Sequence, residues 1–218
     1  MYIPALIKNI QITEEPNTLT EQCKSKFKDN LTKASEVFLS QILNDEAHSK
    51  NDSFILSTSI GNTENIVKLI NEYRNQKFVS AQLFPEATMS SAAVNINRLF
   101  GFRGGNMSSN PNLALNDAIL LGLLDAAYNL CTTHLMYGEV NDLEQSSKTP
   151  NHLLYIKMIP SYTGSYIQLR DTHQDIYDGY DDLSIYLKSI MSPALYQFTS
   201  ITNLRGEVLN VYYRKQVV

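Results

Sequence analysis

Cysteine is nearly absent from this sequence. Its 218 residues hold only Cys23 and Cys131, far apart and without C-x-x-C spacing, which argues against a disulfide framework and against a zinc site. Long apolar runs are missing as well. No stretch approaches the roughly 20 uninterrupted apolar residues that cross a bilayer, so no transmembrane helix is expected. The opening MYIPALIKNI has no cationic start and no small-residue cleavage site, so it does not read as a secretion signal and a cytoplasmic protein is expected. Basic charge is not in excess either. A formal net charge of −4 gives no general attraction to nucleic acid or to an anionic membrane. Lys24, Lys26, Lys28 and Lys33 form the one basic cluster, read as a solvated helix face. Neither G-x-x-x-x-G-K-[ST] nor G-x-G-x-x-G occurs, so there is no signature for nucleotide phosphates.

What remains is an ordinary globular composition, 43% hydrophobic and 18% charged, long enough to bury a substantial core in one domain, residues 1–218. Residues 2 to 13 are largely apolar and predict an opening strand, with a loop around Pro16. Ala34, Val37, Phe38, Ile42 and Leu43 mark a helix over Thr32 to Leu43. Asn44 to Asp52 is polar and without a period, which places His48 on the surface. Phe54 to Ser59 predicts a strand inside a sheet. Ile60 to Thr63 ends it, and Thr63 is placed to cap a helix over Glu64 to Tyr73 with Ile66, Val67, Leu69 and Ile70 on its stripe.

The stretch Phe84 to Leu130 organises the rest. A helix is expected over Thr88 to Phe100, with Ala92, Ala93, Ile96, Leu99 and Phe100 on one face. The glycines of Gly101-Phe-Arg-Gly-Gly105 break it. Asn106 to Ser109 reads as a short strand, Asn110 to Asn112 as a turn, and Leu113 to Leu130 as a second helix that is largely apolar all round and therefore buried. A strand feeding a buried helix through a tight elbow is where many enzymes hold a nucleophile, because the helix N-terminus supplies positive potential and free N–H groups. Here the elbow offers Asn112, Leu113 and Ala114 in place of Cys or Ser.

Downstream, Thr133 to Tyr137 and Leu153 to Ile159 predict strands, with His134 packed on an apolar strand and His152 solvated at a strand entrance. Glu139, Asp142 and Glu144 read as solvated loop acids. Tyr166 to Leu169 is expected to pair back on the preceding strand across Gly164. Asp171 to Asp182 carries five aspartates, but DTHQDIYDGYDD departs from the calcium-loop register and reads as an acidic turn. A short helix over Leu183 to Ile190 and a hairpin of Tyr196–Ile201 with Val208–Tyr213 close the chain. No metal ligand set and no cofactor are expected.

The run FPEATMSSAAVNINRLFGFRGGNMSS, followed by a long apolar helix, resembles the N-terminal half of a β-ketoacyl synthase of the thiolase-like class. Phe84-Pro85, Asn95, Gly101, Arg103 and Gly104 fall in register with that pattern. Ser53 to Gly61 resembles its early strand and glycine loop, and Leu135 to Glu139 the strand after the nucleophile helix. The resemblance covers residues 50–160 and leaves 165–218 as an addition. It implies an α/β fold, a mixed sheet with a buried central helix and flanking helices. It also puts the nucleophile position on Leu113, or on Asn112 if the elbow slips by one.

Condensation needs a thiolate to carry the acyl group and donors for the developing oxyanion. No Cys stands at the elbow, and after residue 160 His173 is the sole histidine. Cys131 lies at the far end of the helix, where the dipole disfavours a thiolate. The resemblance therefore implies a non-catalytic subunit of the chain-length-factor type. Such a subunit pairs as a heterodimer with an active β-ketoacyl synthase, shapes its acyl tunnel in fatty-acid or polyketide biosynthesis (aryl polyene or flexirubin-like), and meets acyl carrier protein through the complex. It places the partner interface on Asn106, Met107, Ser108 and Ser109, an edge that needs covering. Tunnel lining falls to Met89, Phe100, Phe102, Met107 and Leu113, each of which simple core packing would explain equally well. Two other readings compete. One is a small α/β acyl-transferring or hydrolytic enzyme using a serine among Ser57, Ser59, Ser90 and Ser91 beside a histidine. The other is a structural binding module.

Overall fold

The computed structural model describes residues 2–3, 5–13, 15–44, 47–58, 61–88, 90–109, 115–140, 151–161, 167–171, 196–202 and 208–214. Nine strands and six helices occur among them. The strands are β1 (Tyr2–Ile3), β2 (Ala5–Thr13), β3 (Ser53–Ser57), β4 (Met107–Ser109), β5 (Thr133–Glu139), β6 (His152–Pro160), β7 (Ile167–Asp171), β8 (Tyr196–Thr202) and β9 (Val208–Arg214). The helices are α1 (Pro16–Thr20), α2 (Asn30–Leu43), α3 (Thr63–Gln76), α4 (Leu83–Glu86), α5 (Ser91–Phe100) and α6 (Leu115–Asn129).

A five-stranded mixed sheet runs in the order β2-β6-β5-β3-β4. β3 is parallel to both β4 and β5, whereas β5–β6 and β6–β2 are antiparallel. All five β3 residues, Ser-Phe-Ile-Leu-Ser, are buried, as expected for a strand covered on both faces. Alternation along it divides the core. Phe54 and Leu56 pack with α2 and α5 through Phe38, Leu39, Ala92 and Ile96, and Ile55 packs on the other face with Ala118, Ile119, Leu123 and Ala126 of α6. α6 also meets β1 and β8, which belong to a second, antiparallel sheet of order β1-β7-β9-β8. The apolar central helix therefore lies between two sheets, which is why it carries little polarity on either side.

Local chemistry sets the helix boundaries. α2 starts two residues before the expected Thr32 because Asp29 caps it, its Oδ1 accepting from the Thr32 amide at 2.6 Å. Burial pushes the Asp29 carboxyl up to about 6, against the Thr32 hydrogen bonds and with the Glu64 and Glu86 charges assisting. Pro16, expected in a loop, opens the short α1 as its first residue, where a missing N–H costs nothing.

Several expectations are corrected. Thr63 is the first residue of α3 rather than its cap, and Asn62 occupies the cap position, its carbonyl accepting from the Asn65 and Ile66 amides while its side chain makes no cap hydrogen bond. The Asn62 amide group instead donates to the Glu86 carbonyl at 2.7 Å and to Ser91 Oγ at 2.9 Å, tying the start of α3 to α4 and α5. α5 begins at Ser91, and Leu99 points outward at 54% exposure while Ala92, Ala93 and Ile96 face the core. β7 pairs with β1 and β9, not with the strand before it. His152 is buried within β6 rather than solvated, and Glu139, at the end of β5, is buried and accepts from Thr58 Oγ1 at 3.0 Å. Of the lysines read as a helix face, Lys24, Lys26 and Lys28 precede α2, and Lys28 is paired with the Glu36 carboxylate. Asp142, Glu144, the acidic stretch 172–182 and the helix expected over Leu183 to Ile190 lie outside the described residues. Among the described residues no helix is long and apolar enough to cross a membrane. The terminal hairpin of β8 and β9 forms as expected.

Candidate functional site

β4 ends the five-stranded sheet, hydrogen-bonded on one side to β3 with Ile55 opposite Met107, Leu56 opposite Ser108 and Ser57 opposite Ser109. A three-residue strand has little hold of its own. The segment ahead of it supplies that hold. The Arg103 amide donates to the Lys50 carbonyl at 2.7 Å and the Gly104 amide to the Asp52 carbonyl at 3.1 Å. Gly105 donates its amide to Ser53 Oγ at 2.8 Å, and Asn106 Oδ1 accepts from the Phe54 amide at 3.1 Å. This ladder needs a bare α-carbon at residue 104. A Cβ there would lie 2.6 Å from Ser53 Oγ and 2.7 Å from the Asn51 carbonyl oxygen.

Beneath the clamp lies a buried polar chain. His134 on β5 is fully buried, its Nδ1 hydrogen-bonded to Tyr155 Oη at 2.8 Å and its Nε2 to Asp52 Oδ2 at 3.2 Å. Phe102 stacks on the imidazole with centroids 4.8 Å apart. His134 is thus the packed histidine the sequence suggested. Its ring nitrogens engage Asp52 and Tyr155, not a serine. Burial holds its imidazolium below the ordinary value of 6.5, opposed by Asp52. Burial would raise Asp52, but the His134 hydrogen bond, the Ser49 amide and the His134 and Lys157 charges together hold it low.

The sign follows by linkage. Below pH 6.5 the unfolded chain takes up a proton at this histidine that the folded chain takes up only at lower pH. The stability contribution is therefore complete above 6.5 and is lost as the pH falls, by at most about 1.4 kcal/mol per pH unit. Urea midpoints measured from pH 8 to pH 5 should fall with acid, and His134→Gln should flatten the slope. Equal slopes in the two proteins would remove His134 as the cause.

On the other face of the sheet, β4 and α6 flank an open groove of about 450 Å³ lined by Ile55, Met107, Leu121, Leu124 and Tyr128, with Asn106 and Asp125 among its polar lining. Asp125 is held by Asn129 Nδ2 at 2.6 Å and Thr133 Oγ1 at 2.7 Å. Tyr128 of the lining is 80% exposed, so the groove opens onto the surface. Ser109 Oγ is buried without a hydrogen-bond partner among the described residues.

The sequence-predicted residues therefore divide. Asn106, Met107, Ser108 and Ser109 lie together on the open edge and the loop leading into it, with Asn106 and Ser108 exposed. Met107 borders the groove, whereas Phe100 and Phe102 pack on the opposite face of the sheet, Phe102 stacked over Phe54. Met89, Asn112 and Leu113 lie outside the described residues. Of the serines, Ser57 is buried in β3, Ser91 accepts from Asn62, Ser90 is exposed ahead of α5 and Ser59 lies outside the described residues. Cys131 follows α6 with its Sγ 3.3 Å from Ser53 Oγ. His48, placed on the surface, sits edge-on to Phe100 and Phe102. Sequence reasoning missed the Asp52–His134–Tyr155 chain, and the signal for it was an ionisable residue on each of three neighbouring strands or strand entrances.

No protein-family model and no curated protein sequence matches the chain. Solved structures do. A chain of the ketosynthase (ApeO) in complex with its chain length factor (ApeC) from Xenorhabdus doucetiae superposes with a TM-score of 0.62 at 11% identity, over 97% of this chain and 100% of that one. A chain of the ishigamide ketosynthase/chain length factor superposes with a TM-score of 0.54 at 14% identity, over 72% of this chain and 54% of that one, so this chain spans about half its length. The mixed five-stranded sheet, the central helix and the flanking helices are those of the thiolase-like ketosynthase fold, the fold of subunits in ketosynthase/chain length factor complexes.

Proposed function

We propose that this chain is a chain-length-factor-type subunit that pairs with an active β-ketoacyl synthase and contributes no nucleophile of its own. The observation that carries the proposal is the superposition on the full length of a chain from a ketosynthase/chain length factor complex, joined to a sequence resemblance that puts Leu113, or Asn112 if the elbow slips by one, where the thiolate would stand. Thioester chemistry then belongs to the partner, because an amide or an alkyl side chain cannot carry an acyl group. The β4 edge is the docking element: its outer polar groups need a partner strand, and the apolar groove beside it is a surface to be covered. Met107, bordering that groove, is the residue of this chain best placed to limit the length of an acyl chain. Acyl carrier protein reaches the condensation site through the assembled complex, in fatty-acid or polyketide-type elongation.

Co-expression with a catalytic ketosynthase, followed by condensation assays with acyl and malonyl carrier proteins, tests this. The expected result is a stable heterodimer whose activity vanishes when the partner's nucleophilic cysteine is replaced and persists in Cys131→Ala of this chain. Met107→Phe should shorten the product. Thioester turnover by this chain alone, or failure to form a heterodimer, would overturn the proposal.

A further inference from the structure

α3 turns only part of its apolar surface to the core: Ile66 and Leu69 are half-buried beside Asn65. An amphipathic helix turns its apolar stripe to the core, yet the one buried residue of α3 is Asn65. Its amide group donates to the Phe27 carbonyl at 2.8 Å and to the Glu86 carbonyl at 3.2 Å, so the most buried contact of the helix is polar. Val67, Ile70 and Tyr73, at i, i+3 and i+6 along one outward stripe, are 37%, 41% and 57% exposed. Phe78, just past the helix end, is 65% exposed. At about 1.5 Å per residue the fourteen residues of α3 make a face roughly 21 Å long, which a helix of similar length would cover.

Charge on this helix is uneven. Glu64 is engaged by Lys68 and by the Asn30 amide, and Glu72 accepts from the Ser80 amide. Arg74 and Lys77 have no ion pair among the described residues. Lys77 adopts the left-handed conformation (φ 61°) usual for glycine, and its ammonium lies 5.9 Å from the centroid of the Tyr73 ring. The exposed apolar face is therefore bordered by cations on a protein whose net charge is −4.

We propose that the outward face of α3, formed by Val67, Ile70 and Tyr73 with Arg74 and Lys77, docks an acidic amphipathic helix of a partner protein. This surface is separate from the β4 edge and does not depend on the subunit role assigned above. Apolar residues of the incoming helix cover Val67 and Ile70, Tyr73 serves as the aromatic anchor, and its carboxylates face Arg74 and Lys77. Charge contributes mainly to the rate and selectivity of docking, so salt weakens it.

The test uses the full-length chain and two synthetic amphipathic peptides of about 18 residues with the same leucine spacing, one flanked by glutamates and one by lysines. Fluorescence anisotropy should show binding of the acidic peptide alone, weakened at least about tenfold by Ile70→Asp and again by Arg74→Glu with Lys77→Glu. The double charge reversal should bring the lysine peptide into range. These side chains are exposed, so the variants should keep the parent melting temperature. Binding of neither peptide, equal binding of both, or an Ile70→Asp-sensitive homodimer in sedimentation would each overturn the proposal.

Discussion

Ser108→Pro should leave this chain folded and disrupt the proposed pairing with a ketosynthase. The reason lies in which way one amide points. In the parallel ladder between β3 and β4, alternate residues direct their N–H and C=O groups to opposite sides. The Ser109 carbonyl accepts from the Thr58 amide on the β3 side, so the amide and carbonyl of Ser108 face the open edge. Proline removes that single donor and adds a ring where a partner strand must approach. It leaves the β3 side of the ladder intact, which is where an edge strand tolerates it. Losing one interfacial hydrogen bond together with close strand contact should weaken the heterodimer roughly tenfold to a hundredfold. Gel filtration with the partner and a thermal melt of the chain alone separate the two effects. Unchanged pairing would take the interface away from β4, and a large drop in melting temperature would mean that Ser108 serves the fold instead. Ser108→Ala, which keeps the donor, should behave as the parent.

Gly138→Ala should cause the largest loss of stability from a single methyl. Gly138 lies in β5 opposite Leu153 of β6, with φ at 150°, a region closed to side-chain-bearing residues. A Cβ there would lie 2.1 Å from the His152 carbonyl oxygen and 3.0 Å from its carbon. Both are backbone atoms, so no rotamer change relieves the contact and the two strands must part. Their separation would open the pair whose inner residues, Met136 and Tyr155, are fully buried. Strain of about 3 kcal/mol corresponds to a fall of roughly 6–12 °C in melting temperature for a chain of this size. A fall of less than about 2 °C would show that β5 and β6 shift apart at little cost.

Elements specified by neighbouring residues are legible in the sequence itself. β3, β4, α5, α6 and the β8–β9 hairpin follow from apolar runs, glycine breaks and periodicity, and their order carries the ketosynthase resemblance that the superpositions support as a fold. That neither Asn112 nor Leu113 carries a thiol is likewise a matter of sequence. Orientation is not legible there. Periodicity shows that α3 has an apolar face but not that Asn65 is the side turned inward, because the polar carbonyls awaiting it come from Phe27 and Glu86, distant in the chain. The pairing of β7 with β1 joins residues at opposite ends of the chain. Phe102 and Met107 are five positions apart, yet the sheet lies between them, since one precedes the clamp to residues 50–54 and the other follows it. His152 and Glu139 read as solvated because the atoms that bury them come from other strands. Local pattern fixes which segments form and in what order, through steric and hydrogen-bonding preferences of nearby residues. Which face each segment buries depends on contacts between residues far apart in the chain, and those exist only in the assembled fold.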